Sequence, residues 1–110
     1  MPHITIEHSH NIVDFMTLQK LSSTLHNHLA TLPTISKAAI KTRTIEAHNV
    51  LIGEDETENF VHITILLLSG RDATLKETIA KSMFACAQNI ITSKIPLSVE
   101  IRELGTYIKA

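Results

Sequence analysis

The sequence has little cysteine, few aromatic residues and almost no excess charge. A single cysteine, Cys86, in 110 residues excludes an intramolecular disulfide. The net charge is -1, and no basic stripe with interleaved aromatic residues is present, which argues against a nucleic-acid partner. No apolar run approaches the roughly 18 residues of a membrane span, and the N-terminus lacks the features of a signal peptide. These absences predict a cytoplasmic protein that binds neither nucleic acid nor membrane.

Hydrophobic periodicity predicts the elements of the first half of the chain. Residues 4–7 alternate apolar and polar side chains, as a strand does. Asp14 is a candidate N-cap for a helix that Pro33 ends. Residues 37–45 are rich in β-branched and alternating positions and predict a second strand. The apolar face of the helix recurs at steps of three and four residues, at Phe15, Leu18, Leu21, Leu25 and Leu29.

The second half repeats this order. An acidic stretch at residues 54–58 predicts a solvated loop, and the apolar run at residues 60–68 is the strongest strand signal in the chain. Thr74 and Glu77 fit a capping box at the start of a second helix. Residues 97–102 alternate in a last strand. The second helix has an apolar stripe at Leu75, Ile79, Met83, Cys86 and Ile90.

The element order is β-α-β followed by β-α-β, and the tetrapeptide His-Ile-Thr-Ile opens the first strand of both units, at residues 3–6 and 62–65. A four-residue match can arise by chance, but with the matching order it favours two similar halves. We predict an α+β fold in a single domain over residues 1–110, with halves at roughly 1–52 and 59–105. Right-handed crossovers pair the strands of each half in parallel, giving a four-stranded sheet with two helices on one face.

The third predicted strand carries apolar side chains on both faces. Val61, Ile63, Ile65 and Leu67 face one way, whereas Phe60, Leu66 and Leu68 face the other. Two helices cover only one face of such a sheet, so the second face predicts a partner subunit. The alternative is a short buried strand inside an ordinary core.

Four segments together resemble the tautomerase superfamily, and within it the 5-carboxymethyl-2-hydroxymuconate isomerase family. They are Met-Pro-His at the start, AAIKTR at residues 38–43, FVHIT at residues 60–64 leading to Gly70-Arg71, and SVEIREL at residues 98–104. The resemblance spans most of the chain. It implies two β-α-β units in a symmetric homotrimer, with no metal or organic cofactor. It also implies that a hydroxymuconate dienol bearing carboxylates is converted to its conjugated keto isomer, in the catabolism of homoprotocatechuate.

Pro2 is the candidate catalytic residue. If Met1 is removed, the proline nitrogen becomes a secondary amine; α-amino groups titrate near about 7.7–8.0 in model peptides. Burial and nearby cations both disfavour the charged amine and bring its pKa toward neutrality, where a proton shuttle works best. While Met1 is attached, the nitrogen is an amide without useful basicity. The alternative role for Pro2 is to start a strand, where a missing N–H is harmless.

Three cations are candidates for binding a dicarboxylate substrate and stabilising a developing dienolate. Lys41 and Arg43 lie two residues apart in a predicted strand and therefore face the same way. Arg71 follows the third strand, and an arginine can clamp a carboxylate with two hydrogen bonds. The alternative for each is a solvated surface cation. The isomerases that this sequence resembles usually have arginine at the position of Lys41. This difference bears on the identity of the substrate more than on the type of reaction.

Seven histidines are present, at positions 3, 8, 10, 26, 28, 48 and 62. Their spacing does not predict a metal site, because His26 and His28 point to nearly opposite sides of a helix and no thiolate or carboxylate cluster completes a set of ligands. His3 and His62 open equivalent strands and are candidates for pocket lining, although ordinary hydrogen bonding is the simpler expectation. Cys86 lies on an apolar stripe and is expected in the core.

Three functions fit these observations. The first is a hydroxymuconate isomerase, and the second is a related tautomerase that acts on another enol or unsaturated acid. The third is a trimeric binding or structural protein that keeps the fold without catalysis, which retention of Met1 would favour.

Overall fold

A computed structural model describes residues 2–10, 14–54, 59–92 and 94–110. The predicted acidic loop falls mostly on residues 55–58, which lie outside the described residues. The strands are β1 (His3–Ser9), β2 (Lys41–Ala47), β3 (Val61–Leu67) and β4 (Leu97–Glu103); the α-helices are α1 (Phe15–Ala30) and α2 (Ala73–Ile90), and a short 3₁₀ helix spans Lys37–Ala39.

The four strands form one mixed sheet in the order β2-β1-β3-β4. β1 pairs with β2 in parallel, β3 pairs with β4 in parallel, and the two halves meet where β1 runs antiparallel to β3. At this central junction Ile4 lies opposite Ile65, and Ile6 lies opposite Ile63. The predicted pair of β-α-β units in one four-stranded sheet is confirmed.

Both helices pack on the same face of the sheet. Alternate side chains of β1 and β3 meet the apolar stripes of the helices, because residues two apart in a strand share a face. Each fully buried aliphatic side chain contributes about 1.5–3 kcal/mol to folding through its removal from water. The residues buried to within 1% of full burial are Ile4, Ile6, Leu21, Leu25, Leu29, Val61, Ile63, Ile65, Leu67, Ile79, Met83 and Ala87. Phe15 belongs to the predicted apolar face of α1, but it is 76% exposed and lies outside the core.

The helix starts differ in how well the sequence predicts them. Asp14 caps α1 as predicted, because its Oδ1 accepts a hydrogen bond from the Thr17 N–H at 2.7 Å. For α2 the predicted capping box at Thr74 is wrong. Asp72 is the N-cap, and its Oδ1 accepts from the Leu75 N–H at 2.8 Å. The Asp72 carboxylate, two residues before Thr74, satisfies the free Leu75 N–H at the start of the helix. Thr74 therefore lies inside the first turn of α2.

The second strand begins later than the sequence predicts. Residues Lys37–Ala39 form a 3₁₀ turn, in which the Ala39 N–H bonds to the Ser36 carbonyl at 3.0 Å. The parallel ladder starts where the Lys41 N–H donates to the Pro2 carbonyl at 3.0 Å. Proline has no N–H to extend the ladder further, so the residues before Lys41 bond locally instead.

The opposite face of the sheet carries no helix, and we call it the uncovered face. By strand register, its side chains include His3, Thr5, Glu7, Lys41, Arg43, Ile45, His62, Thr64, Leu66, Ser98, Glu100 and Arg102. Leu66 and Leu68 add apolar surface there, and Leu68 is 44% exposed. The second face of β3 is therefore mixed rather than apolar throughout. Within the described ranges, no helix is long and apolar enough to cross a membrane.

Candidate active site

Pro2 lies buried at the start of β1, immediately before the ladder begins. Its carbonyl is fixed by the hydrogen bond from Lys41. The ring nitrogen is a main-chain atom, so its position at the start of β1 is fixed by the backbone. The start of β1 adjoins the start of β2 on one side and the end of β3 on the other, since His3 lies opposite both Lys41 and Leu66.

Lys41 and Arg43 both project from the uncovered face of β2, as their spacing predicts. Lys41 lies opposite His3, and Arg43 lies opposite Thr5, two residues further along β1. The Arg43 guanidinium reaches back, and its Nη1 lies 3.1 Å from the His3 Nδ1. Two exposed cations from β2 therefore lie next to His3, the residue that follows Pro2.

His3 connects these cations to the C-terminal tail. Its Nε2 lies 3.1 Å from the Tyr107 hydroxyl oxygen, and the two rings meet edge to face with centroids 5.7 Å apart. Burial lowers the pKa of His3, and the charges of Arg43 and Lys41 lower it further. Both effects favour the neutral form of His3. The sequence gives no local signal for Tyr107, because it lies 104 positions from His3.

Arg71 lies at the same end of the sheet, in the loop after β3. Its Nε donates to the Thr34 hydroxyl at 3.2 Å, Nη2 donates to the Thr34 carbonyl at 3.1 Å, and Nη1 donates to the Leu68 carbonyl at 3.2 Å. These bonds tie the β3–α2 loop to the loop after α1, where Thr34 has a φ of 68°. Three of the five guanidinium N–H groups are thereby used, and the other two have no hydrogen-bond partner among the residues that the structure describes, so they are candidates to bind an anion. In the part of the chain that the structure describes, no hydrogen bond joins Arg71 to Lys41 or Arg43.

The equivalent histidine of the second half has the opposite surroundings. His62 contacts the Ser98 hydroxyl at 2.6 Å through Nδ1 and the Glu100 carboxylate at 2.9 Å through Nε2. Arg102 also bonds to Glu100, at 3.0 Å, and the hydrogen bonds from Arg102 and His62 lower the pKa of that carboxyl. The surroundings of the two copies of His-Ile-Thr-Ile therefore differ in charge. His3 has the cations Lys41 and Arg43 beside it, whereas His62 and Arg102 are paired with the carboxylate of Glu100.

Comparison with known proteins identifies the family. A model of the 5-carboxymethyl-2-hydroxymuconate isomerase family matches residues 2–109. The chain belongs to this family. A comparison with curated protein sequences finds no match.

Solved structures agree with this assignment. A 5-carboxymethyl-2-hydroxymuconate isomerase from Deinococcus radiodurans R1 is 25% identical, with a TM-score of 0.76 over 98% of this chain and 88% of that one. A fused 4-OT described as a symmetric trimer has a TM-score of 0.79 at 11% identity, over 93% and 85% of the two chains. A member of the cis-3-chloroacrylic acid dehalogenase family has a TM-score of 0.77 at 14% identity, over 93% and 74%. The last two show the fold alone, which is that of the tautomerase superfamily.

The remaining histidines of this isomerase-family chain are engaged elsewhere. His26 contacts the Thr42 hydroxyl at 2.7 Å and His28 contacts the Ser82 hydroxyl at 2.5 Å, so the two point to different neighbours as their spacing predicts. His10 bonds to Glu46 at 2.6 Å, at the far end of β1. Among residues 2–10, 14–54, 59–92 and 94–110, no group of histidine, cysteine and acidic side chains is arranged to hold a metal ion.

Two other features of the chain lie away from Pro2. Cys86 is partly buried against the core, and burial raises the pKa of its thiol, so it is not an activated nucleophile. A surface cavity of 420 Å³ lies between α2 and the start of β4, at the opposite end of the sheet from Pro2. Its lining offers no acid, base or cation for the chemistry of the family: Phe84, Gln88, Ile91, Thr92, Ile95 and Leu97.

Proposed function

We propose that this chain is a 5-carboxymethyl-2-hydroxymuconate isomerase that uses the Pro2 amine, freed by removal of Met1, as its acid–base catalyst. The substrate is a hydroxymuconate-type dienol dicarboxylate, and the product is its conjugated keto isomer. The observation that carries the proposal is the burial of Pro2 at the start of β1, beside the two cations Lys41 and Arg43. Membership of the isomerase family supports the same assignment.

The chemistry needs one group that alternately accepts and donates a proton. The neutral Pro2 amine takes the proton of the dienol hydroxyl, and the resulting ammonium delivers a proton to the carbon at the other end of the conjugated system. No atom is lost or gained. Burial and nearby positive charges both favour the neutral form of an amine, which is the base form that the first proton transfer needs.

The cations stabilise the dienolate that forms between the two proton transfers. Lys41 and Arg43 act on the negative charge from the uncovered face, where an interaction that strengthens in the transition state lowers the barrier. We assign the second carboxylate of the substrate to the two free N–H groups of Arg71. Arg71 can bind a carboxylate through these two groups while it keeps its three hydrogen bonds to Thr34 and Leu68.

We further propose a homotrimer, working in the cytoplasm in the catabolism of homoprotocatechuate. The uncovered face and the unpaired outer edges of β2 and β4 are the surfaces available for subunit contact. A fused 4-OT with the same fold is a symmetric trimer. Light scattering should give about three times the 12.2 kDa chain mass, and a clean monomer would contradict the trimer.

A related tautomerase acting on another unsaturated acid is the second candidate, and Lys41 favours it. A lysine provides a point charge, whereas the family's usual arginine clamps a carboxylate in a plane. Lys41→Arg should raise turnover of 5-carboxymethyl-2-hydroxymuconate if that dicarboxylate is the substrate. A drop in turnover, together with better use of another enol acid by the natural chain, would favour the second candidate. Retention of Met1 would favour the third candidate, a non-catalytic trimeric binding protein, and mass spectrometry of protein from its native host tests whether Met1 is retained.

An ultraviolet assay of isomerisation tests the proposed function. The processed protein should convert 5-carboxymethyl-2-hydroxymuconate rapidly, and Pro2→Ala, which leaves a primary amine without the fixed ring, should be slower by about a hundredfold, the lower end of what general acid–base catalysis contributes. Equal rates for the two proteins would refute the assignment of Pro2. Absence of turnover in the processed wild type would refute the substrate.

A further inference from the structure

The hydrogen bonds between Arg43, His3 and Tyr107 have a fixed direction. A guanidinium can only donate, so the His3 Nδ1, at 3.1 Å from Arg43 Nη1, is the acceptor. A neutral imidazole with an accepting Nδ1 carries its hydrogen on Nε2. That nitrogen, 3.1 Å from the Tyr107 hydroxyl oxygen, therefore donates to it. The hydroxyl oxygen accepts one bond, and its own hydrogen is left to point away from His3.

The C-terminal tail brings this hydroxyl to the start of β1. The Leu104 N–H donates to the Leu67 carbonyl at 2.7 Å, which holds the chain beside β3 after β4 ends. From there the tail turns back, and the partly buried Tyr107 ring packs edge to face on His3. His3 follows Pro2 directly, and the Cα atoms of consecutive residues lie about 3.8 Å apart. Tyr107 therefore contacts the residue next to the proposed catalytic proline.

We propose that Tyr107 is a substrate-binding residue that donates its hydroxyl hydrogen to an oxygen of the dicarboxylate, and that His3 is the positioning residue that sets its direction. The proposal rests on the proposed function for the location of the ligand. The donor adds a neutral, directional hydrogen bond to the point charges of Lys41 and Arg43. No proton leaves Tyr107, so the bond acts in both binding and turnover.

The surroundings of His3 support this role. Among the described residues, His3 is faced by Lys41 and Arg43 from β2, the apolar Leu66 from β3 and Tyr107 from the tail. Arg102 lies next to Leu66 on β4. Every charged group among these is positive, which opposes protonation of His3 and keeps Nδ1 an acceptor. At the equivalent His62, Nε2 contacts the Glu100 carboxylate instead of a tyrosine hydroxyl.

Two measurements test the proposal. Long-range ¹H–¹⁵N NMR on the wild type should give His3 as the neutral tautomer with hydrogen on Nε2 at pH 7. Calorimetric titration with adipate, an unreactive six-carbon dicarboxylate, should then give affinities for the wild type and Tyr107→Phe. Tyr107→Phe keeps the ring contact and loses only the donor, so its affinity should fall about tenfold, as expected for a hydrogen bond to a charged group.

The outcomes separate this inference from the proposed function. Equal adipate affinity for the wild type and Tyr107→Phe would overturn the inference, as would hydrogen on His3 Nδ1 or no adipate binding at all. Weaker binding by Tyr107→Phe alongside a wild type that turns over no hydroxymuconate would support the inference and remove only the proposed reaction. Thermal unfolding of Tyr107→Phe within about 1 °C of the wild type would show that loss of affinity is not a folding defect.

Discussion

The N-cap of α2 gives a sharp test, because the sequence and the structure assign it to different residues. Asp72 Oδ1 accepts from the Leu75 N–H at 2.8 Å, whereas Thr74 is the second residue of the helix. Asp72→Ala leaves that amide without its partner and removes a negative charge from the positive end of the helix dipole. The expected loss is about 1 kcal/mol in the free energy of unfolding, within a range of about 0.5–2 kcal/mol.

Urea denaturation followed by circular dichroism measures this loss. The variants should be compared at one protein concentration, since assembly would make stability depend on concentration. Asp72→Asn keeps a side-chain oxygen and should lose only a few tenths of a kcal/mol. Thr74→Ala is the matched control and should stay within about 0.5 kcal/mol of the wild type. If Thr74→Ala lost as much as Asp72→Ala, the predicted capping box would be correct and the structural assignment wrong.

Three further predictions concern the core, pH and the loops. Leu25→Ala removes a fully buried side chain and should lower the free energy of unfolding by about 2–5 kcal/mol in urea; Phe15→Ala, at a 76% exposed position, should change it by under about 0.5 kcal/mol, and similar losses would refute the packing. Because the pKa of His3 is lowered from 6.5, the unfolded chain binds protons more readily, so stability should fall as pH drops from about 7 to about 5; His3→Gln should lessen this slope, and an unchanged slope would contradict it. Arg71→Ala removes three hydrogen bonds between two loops and should lower the melting temperature by a few degrees, with Arg71→Lys recovering little of it; no change would mean the bonds contribute nothing.

Most of the fold could be predicted because its strands and helices follow simple periods. The run at residues 60–68 became the central β3, and the spacing of Leu21, Leu25 and Leu29 marked the face that α1 buries. The start of β2 could not be predicted from residues 37–40. Their local pattern resembles a strand, but the ladder begins only where β1 supplies a partner, after the missing N–H of Pro2.

The candidate site was only partly visible in the sequence. Spacing alone placed Lys41 and Arg43 on one face, and the structure puts both beside His3. Two other contacts depend on tertiary structure. Arg71 bonds to Thr34, 37 residues away, and Tyr107 bonds to His3 across almost the whole chain. No periodicity or motif reports a contact between loops so distant in sequence.

The central claim is that the Pro2 nitrogen must be an amine. It is tested most directly by comparing the isomerisation rate of the processed protein with that of a chain carrying one added glycine before Pro2. The two proteins have the same side chains, and the glycine converts the amine to an amide that cannot accept a proton. We expect rapid conversion of 5-carboxymethyl-2-hydroxymuconate by the first protein and a rate lower by at least about a hundredfold in the second. Equal rates would contradict it.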